Sequence, residues 1–429
     1  MSATQQLRLP IPPISFQGRD IRSVTFKGGF DYPIHRWFRL TPSFSPDLVR
    51  DILGHWGLGP DARVLEPFCG VGTTPVVCQE HGLRSWAVEL NPLLHFVARV
   101  KTTPLHDPIR LAALTSELVA HAQSIFRAIE GLPLETFLTR YRETIPRIRD
   151  VTKWWSPVVL KKLTAIRIAL ADVGPPPELA DVFGLAVASI LIEVSNALHN
   201  HPSLSFSKAA RRDAPVFERV TEQVEMFVRD LQGFALARPE TVILRGNSKR
   251  LGQLLPAGSG FDAVITSPPY PNRYSYARET RPQMFYLGLV SSGKEVGELE
   301  IEAIGGTWGK ATSVLSAPVS YGSPQVGQAL RGIPDQIGQH SHLMRNYIIK
   351  FFNDMEQHIE SLRPFLRPRA RLAYVIGNSQ FYNIPLPSDE ILADLFEANG
   401  IQTVSIERMR RRNSKSGLYE AVIFLQAPA

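Results

Sequence analysis

Arg63-Val64-Leu65-Glu66-Pro67-Phe68-Cys69-Gly70-Val71-Gly72-Thr73-Thr74 runs from an apolar strand through a glycine turn toward a helix, which continues as Pro75-Val76-Val77-Cys78-Gln79-Glu80. Glycines in such a turn permit positive φ and let a ligand approach the backbone closely, while the helix start presents free N–H groups. The pattern predicts a small-molecule cradle at the edge of an α/β sheet. It lacks the Gly-x-Gly-x-x-Gly spacing of dinucleotide sites and the Gly-Lys-Ser/Thr ending of a P-loop, which argues against phosphate chemistry. The next strand, Ser85-Trp86-Ala87-Val88-Glu89-Leu90-Asn91-Pro92, ends on Glu89. That carboxylate stands at about the ~20-residue offset at which an acidic side chain meets ribose hydroxyls. A solvated strand-end glutamate is the alternative.

Far downstream, Phe261-Asp262-Ala263-Val264-Ile265 reads as another short apolar strand, and Thr266-Ser267-Pro268-Pro269-Tyr270 follows it. Consecutive prolines fix φ and carry no N–H, so the loop is rigid and its carbonyls point outward. The Ser267 hydroxyl and the Pro268 carbonyl then form two acceptors for an exocyclic amino group, with Tyr270 as a flat face for stacking. An aromatic amine is a poor nucleophile because its lone pair is delocalised; fixing both hydrogens favours a pyramidal nitrogen with the pair available. A structural turn is the other reading of this tetrapeptide alone.

Together these residues resemble the S-adenosylmethionine-dependent amino methyltransferases acting on DNA. The family's cofactor motif commonly reads Asp-Pro-Phe-x-Gly-x-Gly-Thr, matched by Glu66 to Thr73 with Glu in place of Asp. Its catalytic motif, Asp/Asn/Ser-Pro-Pro-aromatic, is matched by Ser267 to Tyr270, and the serine form is most typical of members that make N4-methylcytosine. The resemblance implies a doubly wound, Rossmann-like α/β methyltransferase sheet, S-adenosyl-L-methionine as cofactor, duplex DNA as partner and base flipping as mode of access. N6-adenine methylation and an RNA amino methyltransferase share the motifs; a non-catalytic nucleic-acid-binding module is the rival from another class. The cofactor residues it implies are Glu66, Pro67, Phe68, Cys69, Gly70, Gly72, Thr73, Thr74, Glu89 and Asn91. The resemblance further implies that the segment begun by Ser45, capping a helix from Pro46, closes over the methionine end, and that Asn247 and Ser248, after the strand Thr241 to Arg245, lie against adenine; a satisfied turn is the other reading of that pair.

Residues 1–40 are expected to form an N-terminal arm, 41–100 and 241–429 the catalytic domain, and 101–240 a mainly helical insertion that docks DNA and recognises the target. In the insertion Arg140, Arg142, Arg147, Arg149, Lys153, Lys161, Lys162 and Arg167 surround Trp154-Trp155, a mixture suited to phosphate contact plus stacking or wedging; a solvated face over core tryptophans is the alternative. Arg273 and Tyr274 follow the tetrapeptide and would rim the base pocket or form a lid over it. Arg410, Arg411, Arg412 and Lys415, between the two last strand-like runs, suit a backbone clamp; a solvated hairpin tip is the alternative. The His199 to Arg212 stretch is a further loop for nucleic acid. Residues 291–340 read as a long irregular Gly- and Ser-rich loop, either flap or surface.

Composition agrees. The 429 residues carry 47 Lys plus Arg against 40 Asp plus Glu, a formal charge of +7 that suits a polyanionic partner. Only two cysteines, Cys69 and Cys78, are present, neither after a proline as cytosine-C5 enzymes require, and no Cys/His cluster proposes a metal. With no signal-like or membrane-length apolar run, a cytoplasmic, nucleoid-associated protein is expected.

Overall fold

A computed structural model describes residues 29, 31–40, 42–104, 107–198, 204–206, 213–233, 239–307, 309–412 and 417–429. Among these, seven strands form one sheet: β1 (Arg63–Glu66), β2 (Arg84–Glu89), β3 (Thr241–Arg245), β4 (Phe261–Thr266), β5 (Leu366–Gly377), β6 (Gln402–Arg411) and β7 (Tyr419–Gln426). Their order is β6-β7-β5-β4-β1-β2-β3. Every neighbouring pair from β5 to β3 is parallel, and β7 runs antiparallel to both β5 and β6. The chain leaves β1 toward β2 and returns at β4 on the other side. The carboxyl ends of β1 and β4 therefore flank a topological switch point, where open α/β sheets bind ligands.

The central strands are buried on both faces, which is why they read as continuous apolar runs. Leu65, Val264, Leu372 and Tyr374 point to one face, covered by α8 (His342–Leu362) and α9 (Ser388–Ala398). Val64, Ala263, Ile265, Ala373 and Val375 point to the other, covered by α1 (Pro46–Trp56) and α2 (Thr73–Glu80). Alternation with period two thus supplies both layers from adjacent residues.

Between β2 and β3 lie α3 (Pro92–Thr102) and then α4 (Pro108–Ile129), α5 (Pro157–Val173), α6 (Pro177–Ile190) and α7 (Val216–Gly233), with shorter helices between them. Residues 101–240 are accordingly mainly helical, and their apolar faces share one cluster with α3 and with Trp37, Phe38 and Leu40. The Gly- and Ser-rich stretch after the tetrapeptide departs from the irregular loop expected of it: helices form at Gly293–Glu302, Lys310–Ser316, Pro324–Leu330 and Ile333–Gly338. Ser292 and Ser323 cap the first and third of these, so serines that read as loop composition start helices. Of the expected N-terminal arm at 1–40, residues 1–28 and 30 lie outside the described residues, as do His199 to His201 and Arg211-Arg212, while Ile34, Trp37, Phe38 and Leu40 pack into the core. No described helix is long and apolar enough to cross a membrane.

Candidate active site

At the switch point lies an open cleft, the concave kind of site in which small molecules bind. Its wall brings together Pro67, Phe68, Cys69, Gly70 and Thr73 from the glycine turn, Glu89 and Asn91 from the end of β2, Asn247 and Ser248 after β3, and Ser267 and Pro269 after β4.

Gly72 sits at φ +84° as the residue before α2, and a Cβ there would lie 3.1 Å from the Cα and Cβ of Ala98 on α3. Both the left-handed backbone and the helix behind it demand glycine. Gly70 differs: it lines the cleft, and a Cβ would meet nothing within 4 Å. The turn thus presents bare backbone to whatever occupies the cleft. Beside it, Glu89 Oε2 accepts from the Gly70 N–H at 2.7 Å and Oε1 from the Asn91 N–H at 2.8 Å. Burial nevertheless pushes the Glu89 carboxyl up to about 7. Each oxygen keeps a lone pair for a ligand hydroxyl, and apolar neighbours Phe68, Val88, Leu299 and Ile304 suit a flat ring. A nucleoside fits this donor set, with the Glu89 oxygens for its hydroxyls and the apolar side chains for its ring, and Pro42, Ser43 and Phe44 complete the wall.

Several predicted cofactor residues do other work. Glu66 is 1% exposed and outside the cleft wall. Its Oε1 accepts from the Phe68 N–H at 3.0 Å and from the Thr266 hydroxyl, and its Oε2 from the Thr74 hydroxyl at 2.8 Å. Desolvation raises this carboxyl too, to about 7, against the pull of those donors. Glu66 and Thr74 therefore tie the glycine turn to the residue before Ser267 rather than touch a ligand. Ser45 is also corrected: fully buried, its Oγ accepts from the Asp47 N–H at 3.2 Å as cap of α1, and Pro42, Ser43 and Phe44 supply the wall instead. Asn91 and Asn247 line the cleft with side chains already engaged. Asn91 Oδ1 caps α3 through Leu93 N at 2.9 Å, and its amide donates to Thr280. Asn247 Oδ1 accepts from Lys249 N at 3.0 Å and its amide donates to Glu302.

At the acceptor end, the Ser267 hydroxyl donates to the Val375 carbonyl of β5 at 3.0 Å. Its proton is thereby committed, and the oxygen is left as an acceptor. Pro268 is buried and Pro269 lines the cleft. The Tyr270 ring lies against Gly377 at the end of β5: a Cβ at Gly377 would come within 2.9 Å of Tyr270 Cε2 and of Arg412 Nη1. Arg412 stands 5.7 Å over the Tyr270 ring and donates to the Asn378 carbonyl at 3.0 Å. It is a brace for the aromatic, not a free cation. Both cysteines are buried, and burial raises their thiols well above the ordinary range, so neither is a nucleophile.

His358 carries no sequence signal and is missed without the fold. Buried on α8, it packs its ring edgewise on Phe68 at 4.7 Å, faces the Ser248 carbonyl through Nδ1 at 3.2 Å and meets the Tyr374 hydroxyl through Nε2 at 2.7 Å. Burial lowers its pKa to about 4, so the ring is neutral. A carbonyl only accepts, hence Nδ1 carries the proton and Nε2 accepts from Tyr374. The histidine thus supports two residues of the cleft wall. Leu40, Tyr276 and Ala303 are further wall residues whose place comes from packing alone.

The predicted nucleic-acid residues divide. Trp154 and Trp155 are corrected to core: 3% and 0% exposed, with Trp155 Nε1 donating to the Leu191 carbonyl at 3.1 Å, neither ring can stack on a base. Lys161 is spent on the Glu130 and Leu132 carbonyls, and Lys162 on Asp213. Arg410 pairs with Glu420 at 2.7 Å. Arg140, Arg142, Arg147, Arg149, Lys153, Arg273 and Arg411 are exposed, while Tyr274 is half-buried against Tyr276. Lys415 lies outside the described residues. No cluster of potential metal ligands occurs among the described residues.

No protein-family model matches the chain. It is similar to the Type II methyltransferase M.MvaI of Kocuria varians, 22% identical over 405 residues, covering 89% of this chain and 86% of that protein. The Type II methyltransferase M.BsoBI of Geobacillus stearothermophilus is 20% identical over 448 residues, covering 92% and 83%. Among solved structures, the chain is similar to the rRNA methyltransferase aviRa from Streptomyces viridochromogenes, covering 96% of both chains at 11% identity with a TM-score of 0.33.

Proposed function

We propose that the protein is an S-adenosyl-L-methionine-dependent DNA methyltransferase acting on an exocyclic amino nitrogen, N4 of cytosine in duplex DNA. One observation carries the reading. Through Glu66, the backbone of the glycine turn and the Thr266 hydroxyl share one buried carboxylate, so Glu89 and Ser267 open onto the same cleft. Likeness to Type II methyltransferases along most of the chain supports DNA as the substrate.

When bound, S-adenosyl-L-methionine supplies a sulfonium-activated methyl group. Glu89 would hold its ribose, the Gly70 backbone and Phe68 its nucleoside, and the Pro42 to Phe44 segment its amino-acid end. Ser267 and the Pro268 carbonyl would accept the two amino hydrogens of the target base, aiming its nitrogen lone pair into the cleft, while Tyr270 stacks on the ring. The neutral serine takes no proton; once alkylation has made the nitrogen acidic, its proton passes to solvent water. Exposed cations at Arg140, Arg142, Lys153 and Arg273 suit phosphate contact, while Arg147 and Arg149 pair with Glu143 and Asp150.

Nucleoside mass spectrometry of DNA from cells expressing the protein tests the reading, with modified-base sequencing to give the recognition sequence. N4-methylcytosine is expected. N6-methyladenine instead would reassign the target base, and unmodified DNA alongside methyl transfer to structured RNA would overturn the DNA assignment.

A further inference from the structure

A small hairpin springs directly from the carboxyl end of β5. Ser379–Phe381 pairs antiparallel with Ile384–Leu386, and the two residues between them are Tyr382 and Asn383. Both tip residues are left-handed, at φ +51° and +65°, as a two-residue turn of this hand requires. Asparagine tolerates that region, whereas for a bulky aromatic it is a costly choice. Tyr382 is also 50% exposed, among the few large hydrophobic side chains so placed. Its ring stacks on His340 with centroids 5.1 Å apart and planes 17° off parallel, which fixes its direction without covering it.

The hairpin stands beside the proposed chemistry. Two residues before it, Gly377 backs the Tyr270 ring, and the Asn378 carbonyl holds Arg412. Four residues of extended chain place the tip within roughly 13 Å of that carbonyl. Phe381 meets the buried Tyr347 ring at 6.1 Å, and the Tyr347 hydroxyl accepts the N–H of Arg273, itself at φ +63°. Of the seven left-handed non-glycine residues described, Arg273 touches Tyr347, and Tyr382 and Asn383 follow directly on Phe381, which packs on the same ring. Strain concentrated in this way marks a position held for function.

We propose that Tyr382, at the tip of this hairpin, is a wedge that enters the DNA stack beside the extruded nucleotide, with Asn383 facing the bases from the same turn. The inference rests on the DNA reading above. A flat ring with a polar tip, backed by His340 and advanced on a rigid two-residue turn, fits the gap that extrusion opens between base steps. Filling that gap offsets the lost stacking, so the wedge matters most where the target is firmly paired.

The test uses the full chain and short duplexes carrying the recognition sequence found by modified-base sequencing, one matched and one with the target base mismatched. Tyr382→Asn removes the ring and places a residue suited to the left-handed turn, so its Tm should equal or exceed the parent's. Methyl transfer to the matched duplex should fall about tenfold or more, since unstacking a base step is no longer compensated. On the mismatched duplex most of that loss should disappear. Tyr382→Phe should stay near the parent, and His340→Ala, which leaves the turn intact, should move in the direction of the Asn variant. Affinity for S-adenosylhomocysteine should be unchanged throughout. Equal rates for parent and Tyr382→Asn on the matched duplex, or an equal deficit on both duplexes, would overturn the wedge while leaving the DNA reading standing. No transfer by the parent to any duplex would overturn both.

Discussion

Cofactor affinity should depend on pH through Glu89. Both of its oxygens accept backbone N–H groups, yet burial leaves the carboxyl at about 7. A ligand hydroxyl donates to the ionised form, and with that midpoint the ionised fraction drops from about nine-tenths at pH 8 to about one-tenth at pH 6. Affinity for S-adenosylhomocysteine, measured by titration calorimetry, should therefore weaken about tenfold between those pH values. Glu89→Gln removes the charge and turns an amide N–H2 toward one of the two backbone donors. With hydrogen bonds to charged groups worth about 1.5–3 kcal/mol each, the loss should be about a hundredfold or more at pH 8, and the slope should vanish. Stability runs the other way. The folded carboxyl binds its proton more tightly than the unfolded one, so its contribution is present below about 4.5 and lost as pH rises through about 7. Unliganded Tm should consequently decline across the window in which ligand affinity improves. A flat affinity from pH 6 to 8, or parent-like binding by Glu89→Gln, would refute this account of the cleft.

Ser267→Ala should cut methyl transfer by roughly 10²–10³-fold with S-adenosylhomocysteine affinity unchanged; undiminished transfer would sink the acceptor role. Gly377→Ala sets a Cβ 2.9 Å from the Tyr270 ring, so transfer should fall while cofactor binding in a calorimeter stays intact. Gly72→Ala combines a left-handed φ with a 3.1 Å approach to Ala98 and should cost about 2–3 kcal/mol in urea unfolding. Trp155→Phe loses the bond to Leu191 inside the core and should lower stability by about 1–3 kcal/mol without altering the salt dependence of DNA binding.

Much of the sheet is legible in the sequence because its signals are local. Val64-Leu65 and Ala263-Val264-Ile265 are apolar runs ended by special backbone chemistry, glycines in one case and prolines in the other, and each feature acts within a few residues. The Trp154-Trp155 pair shows where that logic stops. Flanking cations made the rings look available, but burial is decided by α6 and the Leu191 carbonyl, distant in sequence. The helices after Ser292 and Ser323 were obscured in the same way, since serine signals a loop by composition and a cap by position. His358 has no local signature: its role exists only because α8 lays it between Phe68 and Tyr374.

Glu66 is the residue in which these levels meet. As a motif letter it invites a cofactor contact, and as a buried carboxylate with three donors it becomes the joint between β1, α2 and β4. Glu66→Ala would leave the Phe68 N–H and the Thr74 and Thr266 hydroxyls without that acceptor, and each buried unsatisfied group costs about 1–3 kcal/mol. Thr74 retains a 3.3 Å contact with the Ile265 carbonyl, so the net loss should sit near the lower end, about 2–4 kcal/mol in urea unfolding. A joint differs from a ligand contact in what fails together. If Glu66 couples the turn to the tetrapeptide, the variant loses S-adenosylhomocysteine affinity and methyl transfer alike, whereas Ser267→Ala loses transfer alone. A Glu66→Ala protein that bound the cofactor product normally and lost only stability would show instead that the two halves of the cleft are positioned independently by their own strands.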